Sequence, residues 1–209
     1  MPVAEPTQTF TAFEGSCHII TGSLGEVATK AKPIADRPDH APLLIFDDLT
    51  AETVSIDFRG DLASVLARIA AQAKADAPPA ADPEPVRGPG RPKLGVVARE
   101  VTLLPRHWAW LSEQPGGASV TLRKLVDQAR RANEGPDGLR RGREVLYRFI
   151  SVMAGNAPDF EEATRALFAG DRTRWEALTR AWPKDVRAHA LRLSGPAFSE
   201  KGESHVDVE

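Results

Sequence analysis

Apolar residues alternate with polar ones near the start of the chain, and the first elements follow from that alternation. Thr9-Phe10-Thr11-Ala12-Phe13 and Cys17-His18-Ile19-Ile20-Thr21 flank Glu14-Gly15-Ser16, which has the composition of a hairpin turn. The period then changes. Ser23 is placed to cap a helix from Leu24 to about Ile34, with Leu24, Val27, Ala28 and Ala31 on one face. Leu43 to Phe46 and Val54 to Phe58 repeat a strand-turn-strand pattern, and Asp61 precedes Leu62, Val65, Leu66 and Ile69 at helical spacing. The order ββαββα predicts a small α+β domain over residues 1–74, a four-stranded antiparallel sheet with two helices on one face.

Prolines at 78, 79, 83, 85, 89 and 92 interrupt the pattern, and proline at that density forbids regular structure. Residues 75–93 therefore read as a linker between domains that move independently. Residues 94–134 read as a strand, a short helix opened by Pro105 with Trp108 and Leu111 three apart, a turn at Gln114 to Gly117, and a second helix. Ser119 is the expected cap of that helix, with Leu122, Leu125, Val126 and Ala129 on its inner face. From 139 to 195 the period is helical throughout. Val145, Leu146, Phe149, Ile150 and Met153 form one stripe on Leu139–Ala154, and further helices start after Asp159, after Asp171 and at Lys184. This predicts an all-α C-terminal bundle and a disordered tail over 196–209, so the fold class of the chain is α+β.

Charge sharpens the picture. The net charge of −2 divides into −7 over 1–86, +7 over 87–148 and −2 over 149–209, so positive potential gathers where the linker meets the strand-helix-helix. A solvated, arginine-rich helix face is the plainer explanation of the same numbers. The longest clean apolar run is Leu43 to Phe46, which excludes a membrane helix. The opening residues lack a charged and apolar leader, and Cys17 is the one cysteine, so neither export nor a disulfide nor a thiolate metal site is expected. The cytoplasm of a bacterium is the expected compartment.

Gly90-Arg91-Pro92-Lys93 resembles the AT-hook, in which arginines lie along a narrow minor groove on a thin, extended backbone. Pro89 stands where that motif has a second core arginine, and the next cation is Arg87. Residues 99–132 resemble the ribbon-helix-helix proteins, which dimerise through one strand per chain to enter the major groove. Neither face of the strand, Arg99/Val101/Leu103 or Glu100/Thr102/Leu104, offers three polar readers. The resemblances imply a homodimer that contacts duplex DNA. Arg87, Arg91 and Lys93 would serve the minor groove or phosphates, Arg99, Arg106, Arg123, Lys124, Arg130 and Arg131 the backbone, and Ser119 a phosphate at a helix N-terminus.

Over nearly its full length the chain also resembles an uncharacterised bacterial family, domain-of-unknown-function family 2239. The residues that carry the likeness run from Gly90 to Trp108, Gly116 to Ser119, Phe160 to Ala163, Ala166 to Asp171, and Trp182 to His189. That resemblance implies no catalytic residue. Histidines 18, 40, 107, 189 and 205 have no metal-ligand spacing, and no cofactor motif is present. Asp47-Asp48 reads as a turn-capping pair, and Asp185, Arg187 and His189 as helix-terminal charge and packing. The leading expectation is a DNA-binding regulator whose N-terminal or C-terminal domain takes a small ligand or a protein. The alternatives are a protein-interaction or antitoxin-like module, and an enzyme of unknown reaction.

Overall fold

The computed structural model describes residues 8–76, 97 and 99–198. It is an α+β protein in two compact units. One comprises residues 1–76 with 135–209, and the other residues 77–134.

The first unit begins with β1 (Phe10–Glu14), β2 (Cys17–Gly22), α1 (Leu24–Ala35), β3 (Leu43–Asp47) and α2 (Leu62–Asp76). The strands form one antiparallel sheet in the order β2-β1-β3. Gly15 turns the hairpin at φ +57, a conformation that L side chains rarely adopt, and its N–H donates to the Pro42 carbonyl at 2.8 Å. Ser23 caps α1 in a reciprocal capping box with Glu26. The sheet buries both faces, which is why β1 is buried at four consecutive positions. Phe10 and Ala12 pack with Val27 and Ile45, and Ile19, Leu24 and Phe58 lie at the edge of that cluster. Phe13 and Phe46 belong to the larger core.

That larger core changes the domain organisation. The C-terminal part holds α4 (Gly117–Met153), α5 (Phe160–Ala169), α6 (Arg172–Leu178) with a following 3-10 turn, and α7 (Lys184–Phe198). Leu146, Phe149, Ile150, Trp175, Val186 and Ala190 share one cluster with Phe13 and Phe46. The Phe149 ring centroid lies 5.1 Å from that of Phe46 and 5.7 Å from that of Phe13. An N-terminal domain independent of the C-terminal helices is therefore not what forms, because the second face of the sheet is covered by those helices. Gly142 sits at their closest approach: a Cβ there would lie 2.5 Å from the Pro196 carbonyl carbon.

Three further expectations are corrected. Val54 to Phe58 is not a fourth strand. The ladder ends with a single bridge, Phe46 to Thr53, after which the Asp57 carbonyl accepts from Arg68 at 2.7 Å instead of from a neighbouring strand. Gly135 to Gly138, which falls between the expected elements 94–134 and 139–195, is helical. Pro136 forfeits one backbone hydrogen bond, neither Gly135 nor Gly138 takes a positive φ, and α4 runs through. Residues 196–198, expected in the tail, belong to α7 instead, and Ala197 is fully buried. Nearly all of the expected linker, and residues 199–209, lie outside the described residues.

Candidate nucleic-acid interface

The second unit is described from α3 (Pro105–Ser112) to the first half of α4, with residues 97 and 99–104 ahead of it. Pro105 at the first helical position fixes φ where the N–H has no intrahelical partner, and Leu104, extended at φ −67 and ψ 150, makes the entry. Gly116 and Gly117 take φ +88 and +74 in the turn, and a Cβ on Gly116 would press on Val120 Cγ1 at 3.2 Å. Gln114 accepts the Gly117 N–H on its carbonyl at 3.0 Å and donates its side-chain amide to Trp110 O at 3.1 Å. The turn is thus built locally by the glycines and Gln114.

Leu122, Leu125, Val126 and Ala129 form one side of α4, at the 3.6-residue period. Arg123, Lys124, Arg130 and Arg131 fall on the other side, and all four are exposed. Arg123 and Arg130, like Lys124 and Arg131, are seven residues apart, about 10 Å along the axis, which matches about three nucleotide steps of one DNA strand. Asp127 and Glu134 share that side. Arg99 and Arg106 are also exposed. Among the described residues, no ion pair engages any of these six cations. In the first unit many arginines are paired instead, Arg37 to Glu14, Arg59 and Arg68 to Asp57, Arg148 to Glu52, Arg165 and Arg174 to Glu162, and Arg172 to Glu176, although Arg141 and Arg180 are exposed and make no ion pair among the described residues.

The expected DNA contacts therefore separate. Arg123, Lys124, Arg130 and Arg131 come together on α4, with Arg106 on α3 and Arg99 in the preceding segment. Ser119 is exposed but is not a cap, because α4 starts two residues earlier at Gly117. Arg87, Arg91 and Lys93 lie outside the described residues. The segment 99–104 pairs with no strand among them.

The first unit also assembles a cluster that sequence spacing could not reveal. His189 on α7 is 4% exposed, against Phe149 at 4.5 Å and Phe13 at 5.5 Å between ring centroids. Arg192 donates to its Nδ1, which places the proton of the neutral ring on Nε2. Nε2 lies 3.9 Å from Asp48 Oδ1, too far for a hydrogen bond, and Asp48 instead accepts the Thr11 hydroxyl at 2.6 Å. Burial, then the nearby Arg192 charge, lower the His189 pKa to about 4, so the ring is neutral at pH 7 and the approach to Asp48 is not an ion pair. Asp185 accepts the His18 backbone N–H at 3.0 Å. A ring this enclosed packs the sheet onto α7, and Asp48 and Asp185 serve backbone and hydroxyl donors. Among the described residues no three His, Cys, Asp or Glu side chains gather to hold a metal ion, and no helix is long and apolar enough to cross a membrane.

A family model described as an uncharacterised protein conserved in bacteria, DUF2239, matches residues 9–194. The chain belongs to that family. No curated protein and no solved structure matches the chain. The DUF2239 match spans both units, from the line before β1 to α7.

Proposed function

We propose that this DUF2239 chain is a DNA-binding protein of the bacterial cytoplasm, a regulator that grips duplex DNA through its second unit. The observation that carries the reading is the set of exposed cations on α4 that make no ion pair among the described residues. Arg165 and Arg172 pair with acids one turn away, whereas no ion pair among the described residues engages the α4 cations, although Asp127 lies one turn from each. Exposed cations that no described acid neutralises suit an anionic backbone. The Arg87 to Lys93 tract, which precedes α3 in the sequence of the same unit, would add minor-groove or phosphate charge.

Binding of a mixed-sequence duplex across a salt series tests this. The logarithm of affinity should fall linearly with the logarithm of salt, and the Arg123→Ala, Lys124→Ala double variant should lower the slope by about 2 if each cation holds one phosphate. If Arg91 enters a narrow groove, Arg91→Ala weakens A·T-rich duplexes more than G·C-rich ones. Absence of duplex binding by the unaltered protein at about 50 mM salt overturns the reading.

A further inference from the structure

We infer that a second copy of this chain covers the apolar face of α3 and α4, with Trp108 of each copy seated in the groove of the other. Leu111 is the single buried side chain among the described residues of the second unit. Val101, Leu104, Trp108, Trp110, Leu125 and Val126 are 42–58% exposed. Together they present on the order of 500 Å² of apolar side chain, as much as the largest apolar patch of a typical monomer, which often marks a contact site. A standard interface hides about 800 Å² per partner, a little over half of it apolar, so the face has the size that a stable dimer requires.

The groove identifies the occupant. It has a volume of about 270 Å³ and is lined by Leu103, His107, Trp110, Leu111, Leu122 and Leu125. An apolar cavity of about 150 Å³ holds benzene, so this one admits an indole. Trp108, 42% exposed on α3, supplies that ring. A two-fold axis makes the exchange mutual, since an isologous contact uses the same patch twice. The cations of α4 lie on its other side and stay outside the contact.

Sedimentation velocity of the full chain from about 1 to 100 µM, without DNA, is the test. The unaltered protein should dimerise. Trp108→Ala and Val126→Glu should each raise the dissociation constant at least about 30-fold, as removal of a central contact does. Val126 is 55% exposed, so its replacement leaves the monomer's fold intact, and Val152→Glu, at 47% exposure in the first unit, should leave association unchanged. A monomer throughout the range overturns the inference, as does undiminished association by both Trp108→Ala and Val126→Glu. A dimer that ignores duplex DNA would leave this inference standing and remove the proposed function; a DNA-binding monomer would do the reverse.

Discussion

The two halves of α4 make the same kind of amphipathic helix and meet opposite fates. In the first unit Leu146, Phe149 and Ile150 are fully buried against Phe13 and Phe46 of the sheet. In the second unit Leu125 and Val126, at equivalent spacing, are 42% and 55% exposed. The charges lean the same way, with most of the paired arginines in one unit and, among the described residues, no ion pair on the α4 cations of the other. A hydrophobic stripe thus specifies which side of a helix needs cover, and only the tertiary fold decides whether the chain itself supplies it.

The largest test of this contrast is Phe149→Ala. Its ring touches Phe13, Phe46 and His189, so truncation should cost about 3–5 kcal/mol and lower the urea midpoint of the sheet and the helices together. Separate transitions for strands and helices would show that they do not share one cooperative core. For the same reason a 1–76 fragment should fail to fold alone, with Phe13 and Phe46 uncovered.

Acid should reveal the same interface. The unfolded chain takes up a proton on His189 near its ordinary 6.5, whereas the folded chain does so only near 4. Protons therefore favour unfolding across that window, and the contribution present above pH 6.5, up to about 3 kcal/mol, is lost as pH falls toward 4. Urea midpoints from pH 7.5 to 4.5 should decline with that shape, and His189→Gln should flatten the decline. A smaller effect is expected of Gly142→Ala, whose added methyl meets the Pro196 backbone and should cost about 1–3 kcal/mol in thermal denaturation. Smallest is Leu125→Gln, which at low protein concentration should shift the unfolding of the first unit by less than about 0.5 kcal/mol. A larger shift would mean that Leu125 is already covered within one chain.

Local signals in the sequence correspond to local structure. The Gly15 hairpin, the Ser23 cap, Pro105 at the start of α3 and Asp171 at the start of α6 each rest on interactions within a few residues. Val54 to Phe58 misleads because strand-like alternation also suits an extended segment that lays Val54, Ile56 and Phe58 against a core without entering a ladder. Gly135 to Gly138 misleads because helix-breaking residues lower a propensity without forbidding the conformation. The union of sheet and C-terminal helices joins residues more than a hundred positions apart, as Phe13 and Phe149 do, and no periodicity within either segment encodes its partner. At the candidate interface, the face shared by Arg123, Lys124, Arg130 and Arg131 was legible from helical spacing. That no ion pair among the described residues engages them required coordinates.

The Asp185 carboxylate on the His18 amide has a consequence for how molecules of this protein coexist at high concentration. β2 is an outer strand, and an outer strand offers unpaired backbone donors on which a stray polypeptide can add itself and begin a fibrillar stack. By occupying the His18 donor from α7, Asp185 removes one rung of that template and places a negative charge beside it. Asp185→Ala should leave the native fold in place while shortening the lag before thioflavin-positive aggregates appear on mild heating.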